Sequence, residues 1–304
     1  MNKIIDTFIS SNLTSTIQYY IYEPDSNPKG IIQLTHGMME RIELYEEFIG
    51  FMCDKGFIVC GHDHIGHGHS GELSDSFGFF ANTAGYRYLI EDLHQLNTII
   101  KEKYDDLPYF LIGHSLGSLV ARNYLRLYAN EVDGCVFSAS GSASPLTVLG
   151  LIYVEFKIKR SGPHFVSESF EKTIFGNFNK GQKDKFSGWL CSNQEFIETF
   201  KNDSLCQFGF SLSAYRDLLT LFYQSNKQNW FTSVPNEMPI LLLSGNQDPI
   251  MNNGKDMLKV EENLRKTNHT KINSYLYDGS MHNLFHEIDR STVFNDIYQW
   301  ITAL

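Results

Sequence analysis

The chain has 304 residues, a formal net charge of −10 and a hydrophobic fraction of 42%, enough to bury a large core in one α/β domain with an insertion or in two smaller domains. The negative charge excludes nucleic acid and anionic membrane surfaces as main partners, because both would be repelled at long range. Cys53, Cys60, Cys135, Cys191 and Cys206 form an odd set with no C-x-x-C pair, the pattern of reduced, packed thiols rather than of a disulfide framework or a zinc site.

In chain order, Met1-Asn2-Lys3-Ile4-Ile5-Asp6 begins like a signal peptide but meets an acid too early and lacks a sustained apolar run, so a cytoplasmic location is expected. Strand-like runs follow at 16–22, 30–34, 57–61, 109–112, 134–139, 240–244 and 272–277, and helical patterns at 45–55, 84–103, 115–128, 254–267 and 291–304. Near-continuous apolar strands alternating with amphipathic helices predict a mostly parallel, doubly wound α/β sheet covered on both faces. The alternation breaks between about 145 and 232, where aromatic and polar residues form short helical pieces. This reads as a helical cap over 145–232, inserted into a core made of 1–144 and 233–304. The longest apolar stretch, 145–156, is interrupted by Thr147, Gly150 and Glu155 and is too short to cross a bilayer.

Gly113-His114-Ser115-Leu116-Gly117 stands directly behind the apolar run Tyr109-Phe110-Leu111-Ile112 and ahead of a helical pattern. A strand running into a tight turn with serine at its tip is a nucleophile elbow, and its two glycines are needed where strand and helix approach too closely for a Cβ. A serine hydroxyl needs a base, and the base needs an orienting acid. Asp248 follows the apolar run 240–244, and His282 follows the run 272–277. Both therefore occupy loops past the carboxyl ends of predicted parallel strands, where open α/β sheets gather their site residues. Ser115, Asp248 and His282 give the chain order Ser, Asp, His. The rivals are His286, further into an apparent helix start, and Asp278, which better suits a turn with Gly279. Donors for an oxyanion are expected from the backbone N–H of Leu116 and, in the loop after an early strand, of Met38. His36, Gly37 and Met39 of that loop, with His114 of the elbow, are expected to border the substrate.

His62-Asp63-His64-Ile65-Gly66-His67-Gly68-His69 invites a metal reading, with four imidazoles and a carboxylate in one loop. Its glycines and its position after a strand suit a tight hydrogen-bonded loop instead, and no further ligand cluster completes a shell. No metal is expected.

Together these residues resemble the serine-hydrolase branch of the α/β-hydrolase superfamily that contains monoacylglycerol lipases, lysophospholipases and S33-type serine aminopeptidases. The resemblance runs nearly the whole chain: His36-Gly37 with Glu40 and Tyr45, the Asp63-His64-x-Gly66-His67-Gly68-x-Ser70 loop, the elbow, Gly245-x-x-Asp248, Asp278-Gly279-x-x-His282, and Ser192-Asn193-x-Glu195 with Asp203-Ser204-Leu205 in the insertion. It implies the α/β-hydrolase fold, a Ser115, His282, Asp248 triad, the oxyanion donors named above, ester hydrolysis without a cofactor, and a cap that walls the acyl site. The chain departs from the family pattern at Met39, where glycine is usual, at Leu44, where arginine is usual, and at Ser204, where proline is frequent.

The insertion is rich in aromatic residues, among them Phe165, Phe170, Phe175, Phe178, Phe186, Trp189, Phe208 and Tyr215. Their number favours a greasy pocket, with Phe178, Trp189, Phe208 and Tyr215 as expected substrate contacts, although an insertion also buries a small core of its own. The 146–156 helix is expected either to touch lipid aggregates, giving peripheral membrane contact, or to pack on the core. The leading expectation is hydrolysis of fatty acyl esters of the monoacylglycerol or lysophospholipid type. The alternatives are a small-ester esterase, an aminopeptidase or amidase on the same triad, and a non-catalytic lipid receptor.

Overall fold

Residues 1–175, 178 and 189–304 are described by a computed structural model. Eight strands, β1 (Asn2–Ile9), β2 (Thr16–Glu23), β3 (Gly30–Thr35), β4 (Phe57–His62), β5 (Tyr109–His114), β6 (Gly134–Ser138), β7 (Ile240–Gly245) and β8 (Ile272–Tyr277), form one sheet in the order β1-β2-β4-β3-β5-β6-β7-β8. The β1·β2 and β2·β4 pairs are antiparallel and the remaining pairs parallel. Helices α1 (Glu46–Asp54), α2 (Gly68–Leu73), α3 (Gly85–Lys103) and α4 (Leu116–Tyr128) precede β6. Helices α5 (Pro145–Ser161), α6 (Glu168–Phe175), α7 (Gln194–Asn202), α8 (Leu212–Gln224) and α9 (Gln228–Ser233) lie between β6 and β7, and α10 (Lys255–Lys266) and α11 (Arg290–Thr302) follow. This is the α/β-hydrolase fold.

The central strands are apolar at successive positions because both faces are covered. Ile31, Leu111 and Leu242 join one buried cluster with Leu93 of α3, Val120 of α4 and Val260 of α10. Ile32, Ile112 and Leu241 join the other with Met52 of α1 and Phe294 and Trp300 of α11. Val154, Phe200, Tyr215 and Trp230, from the segment between β6 and β7, belong to the first of these clusters. That segment therefore packs onto the sheet's α3/α4 side instead of building a separate core.

The strand β1 was not expected from the sequence. Its residues are mostly exposed, with Ile5 and Ile9 open to solvent, so it shows neither the run of a central strand nor a clean alternation. It is held by pairing with β2 over its full length. All five cysteines are free and buried. Among the described residues, no helix is long and apolar enough to cross a membrane.

Candidate active site

Parallel pairing places Thr35 beside Gly113, His114 beside Ser138 and Gly245 beside Tyr277, so the loops after β3, β5, β7 and β8 emerge at one sheet edge. At the tip of the β5 loop Ser115 has φ 49° and ψ −116°, a strained conformation of the kind that persists only when its surroundings over-determine it. A Cβ on Gly113 would stand 2.7 Å from the Ser118 Cα, and one on Gly117 would stand 2.1 Å from the Thr35 carbonyl oxygen. Closeness of backbone to backbone, rather than turn geometry alone, demands glycine at both positions.

The β7 and β8 loops are pinned to each other. The Gln247 N–H donates to the Ser280 carbonyl at 2.9 Å and that of Asn246 to Tyr277 at 3.0 Å, while a Cβ on Gly245 would stand 2.1 Å from the Ser280 oxygen. As a result the Asp248 Oδ2 is 2.8 Å from His282 Nδ1, and His282 Nε2 is 2.9 Å from Ser115 Oγ. Asp248 is fully buried, and its Oδ1 accepts from the N–H groups of Ile250 (2.9 Å) and Met251 (3.2 Å). A carboxylate held in this way fixes the imidazole so that Nε2 faces the serine, the arrangement in which a base can take its proton.

The rivals lie elsewhere. His286 bonds Asn283 through Nδ1 at 2.9 Å and the Leu44 carbonyl through Nε2 at 2.8 Å, and stacks on Phe196. Asp278 accepts from the Asn246 side chain at 2.6 Å, which ties the two loops together.

A cavity of about 340 Å³ opens on Ser115 and His282, and Met38, Met39, Glu40, His114, Leu116, Phe178 and Trp189 all border it. Among the described residues no partner occupies the N–H of Met38 or of Leu116, which leaves both available to a developing oxyanion. Much of the remaining, largely apolar wall comes from α5, α6 and α8, through Leu146, Gly150, Ile174, Leu218, Leu219 and Phe222, and the rest includes Leu119 of α4, Phe200 of α7 and Ile250 and Met251 after β7. Trp189 also touches the His282 imidazole edge-on, with ring centres 5.6 Å apart.

Four expected substrate contacts do not reach this cavity. His36 is fully buried, its Nε2 accepting from the His64 N–H at 3.0 Å and its Nδ1 bonded to the Gly37 carbonyl at 2.8 Å. Gly37 is packed between Glu40 and His114, where even a Cβ would stand 2.8 Å from the carboxylate. Phe208 packs on His67, Phe77 and Phe210, and Tyr215 on Phe170 and Phe210. These are core aromatics, because the segment between β6 and β7 must cover the His67 loop as well as the pocket. Phe186 and the side chain of Phe175 lie outside the described residues.

Glu40 and Asn283 hold the site together and were not singled out as site residues by sequence. The buried Glu40 carboxylate accepts from the Gly37 N–H at 2.7 Å, from the Tyr45 hydroxyl and from Asn283 Nδ2 at 2.7 Å. It thereby ties the Met38 loop to the residue after His282. Burial raises its pKa, and these three donors oppose the rise. Glu287 plays a similar part, accepting from the Met281 N–H and, across the molecule, from the N–H and hydroxyl of Ser192.

Met39 sits at φ 61°, in the left-handed region that costs a non-glycine residue about 1–2 kcal/mol. Met39→Gly removes that strain but loosens the unfolded chain and deletes a buried side chain of the hydrophobic cluster, so a net loss of about 1–3 kcal/mol is expected. Denaturant unfolding measures it, and an unchanged or raised stability would show that the backbone strain outweighs the packing of the Met39 side chain.

Residues 26–289 match the family described as serine aminopeptidase, S33. The chain belongs to that family. Monoglyceride lipase of Mus musculus is 25% identical over 291 residues, covering 92% of this chain and 85% of its own. Monoacylglycerol lipase of Mycolicibacterium smegmatis is 23% identical over 292 residues, covering 94% and 93%. Among solved structures, a thermostable carboxyl esterase from Bacillus coagulans in complex with glycerol superposes with a TM-score of 0.93 at 26% identity, covering 100% of this chain and 99% of that one.

The histidine-rich loop of this S33 family member is an internal hydrogen-bonded cluster. Thr35 Oγ1 meets His64 Nε2 at 2.9 Å, His67 Nδ1 meets the Ile65 carbonyl at 3.0 Å, and Asp63 accepts from the N–H groups of Ile42 and His69, each at 2.9 Å. Among the described residues no three His, Cys, Asp or Glu are grouped to hold a metal ion.

Burial depresses the pKa of six imidazoles: His36, His64 and His114 fall well below the ordinary 6.5, His62 to about 3, and His67 and His286 to about 4. The unfolded chain takes up these protons below pH 6.5 and the native chain does not, so their contribution is fully present above 6.5 and is lost on acidification. Buried Asp63, Asp92 and Asp217, raised from 3.8 to about 6, act in the opposite sense below pH 6, as does Glu40. Six groups outweigh four. Unfolding free energy is expected to fall from pH 7.5 to pH 5, by about 1.4 kcal/mol per pH unit for each net proton, and a flat profile in denaturant titrations would contradict it.

Proposed function

We propose that this serine ester hydrolase cleaves fatty acyl esters of small neutral alcohols, monoacylglycerols first among them, through Ser115, His282 and Asp248. One observation carries the reading: Ser115 Oγ and His282 Nε2 stand 2.9 Å apart at the polar end of a largely apolar cavity. His282 Nε2 takes the Ser115 proton as Oγ attacks the acyl carbonyl, and Asp248 stabilises the imidazolium. The oxyanion receives the Met38 and Leu116 N–H groups, each such donor being worth roughly 3–4 kcal/mol in the transition state. The alcohol leaves with the proton from His282, and a water activated by the same imidazole releases the fatty acid.

Residues 145–232 act as a cap whose apolar wall holds the acyl chain. Supporting the substrate class, the mouse and mycobacterial relatives named above are a monoglyceride lipase and a monoacylglycerol lipase over nearly their full length. The Bacillus coagulans esterase holds glycerol on the same fold. The deciding experiment compares fatty-acid release from a monoacylglycerol and from a lysophospholipid with the same acyl chain, with Ser115→Ala protein as blank. Preference for the glyceride supports the proposal, preference for the lysophospholipid demands a headgroup site in the cap, and cleavage of short aryl esters alone overturns the lipid reading.

Amide hydrolysis is the second reading, favoured by the family's description and by two carboxyl groups, Glu40 and Glu171, on the cavity wall. Turnover of aminoacyl arylamides above that of acyl esters would establish it.

Helix α5 exposes Leu149, Ile152 and Phe156, each by more than half, together with Leu146 at the rim of the cavity. Apolar side chains on this scale suit contact with lipid aggregates. Leu149→Asp with Ile152→Asp is expected to lower activity on aggregated substrate about tenfold while sparing a soluble short-chain ester; equal loss on both would remove the docking role.

A further inference from the structure

We propose that Arg122 is a positioning residue that locks the two stems of the cap to the helix carrying the nucleophile, and so sets the affinity for long acyl chains. The inference rests on the proposed ester hydrolysis and names a residue which that chemistry does not use. Arg122 lies on α4, seven residues after Ser115, about 10 Å along the helix axis. It is fully buried, and among the described residues it has no carboxylate partner.

Its guanidinium instead grips both connections of the cap. One end donates to the Gly141 carbonyl at 3.0 Å and lies 3.4 Å from Ser140 Oγ, on the outgoing chain after β6. The other donates to the Ser225 carbonyl and reaches Asn226 Oδ1 at 3.5 Å, on the turn between α8 and α9. Asn226 Nδ2 closes the ring by donating to the same Gly141 carbonyl at 3.2 Å. The Trp230 ring of α9 covers the guanidinium at 4.3 Å, and its indole N–H donates to the Arg122 carbonyl.

Two neighbours extend the contact: Asn123 donates to the Leu221 carbonyl at 3.0 Å and Arg126 to Gln224 Oε1 at 3.2 Å. Carbonyls at the C-terminal end of α8 lack intrahelical donors, and a cation there is favourable. Burial lowers the Arg122 pKa to about 9, so it remains charged at neutral pH. Only the planar fork of arginine serves two separate stems at once; a lysine ammonium is a single point. Leu218, Leu219 and Phe222 of α8 line the acyl cavity, so a shift of α8 alters the acyl wall without touching Ser115, His282 or Asp248.

The test measures Arg122→Met and Arg122→Lys on two substrates, with hydrogen exchange of the same proteins. Expected are a KM for the long-chain monoacylglycerol raised at least about tenfold, with kcat/KM for a soluble short-chain ester within about threefold of wild type. Amides of α5 and α8 should exchange faster while those of β5 do not change. Equal loss on both substrates, an unchanged long-chain KM, or unchanged exchange in α8 would each overturn the proposal. Should Arg122→Met fail to fold, Asn226→Ala, which removes one acceptor and the cross-stem bond, is judged by the same substrate ratio and exchange pattern. If wild-type protein cleaves neither ester, the functional reading falls, and hydrogen exchange alone decides the role of Arg122.

Discussion

Ser115→Ala is expected to lower hydrolysis of the preferred ester by about six orders of magnitude. The hydroxyl is the only group placed to form the acyl-enzyme in the proposed mechanism, and His282 Nε2 is 2.9 Å from it. Because the base acts only through that hydroxyl, adding His282→Ala to Ser115→Ala should cost little more, and the two single variants should lose similar amounts. The residual rate comes from binding and the oxyanion donors. Single-turnover and steady-state rates, with unfolding curves to verify an unaltered fold, measure this. A Ser115→Ala protein within tenfold of wild type would remove Ser115 as nucleophile and return the receptor reading to consideration.

Gly117→Ala is expected to destabilise the protein by at least about 4 kcal/mol, or to leave it insoluble, which places it among the exceptional point substitutions. The added Cβ would meet the Thr35 carbonyl oxygen at 2.1 Å, its carbon at 2.5 Å and the His36 oxygen at 2.6 Å. All three are backbone atoms at the end of a central strand, so no rotamer change relieves the clash; α4 or β3 must move. Gly50 of α1 is the control. A Cβ there meets nothing within 4 Å, and Gly50→Ala is expected to stabilise by about 0.5–1 kcal/mol through helix propensity. Denaturant unfolding of the two variants reads both signs, and a stable, active Gly117→Ala protein would mean that helix and strand do not approach as closely as described.

Strands β3 to β7 were legible because they are buried at every position, and near-continuous apolar runs announce that environment; β2 and the largely exposed β8 were read from weaker runs. The exposed edge strand β1 carries no such signal, and only its partner β2 gives it a structure. The elbow was legible for a related reason: glycines at positions 113 and 117 record a backbone approach that no other residue tolerates. Ser115, Asp248 and His282 were legible one by one, from their places after strands. The aromatic residues of the insertion were not separable into wall and core. Trp189 and Phe178 line the cavity while Phe208 and Tyr215 pack beneath the segment, and all four look alike in a sequence without periodicity to sort them.

Sequence by itself determined the fold class, the nucleophile turn and the residue types able to do acyl transfer, because those follow from local patterns: apolar runs, glycine spacing and loops after strands. Only the tertiary structure decided which histidine faces Ser115, how Glu40 and Asn283 join the Met38 loop to His282, and that the buried Arg122 joins the chain after β6 to the turn between α8 and α9. Each of these depends on contacts between residues 34 to 243 positions apart, and such contacts are set by strand register and helix packing, which no local pattern encodes.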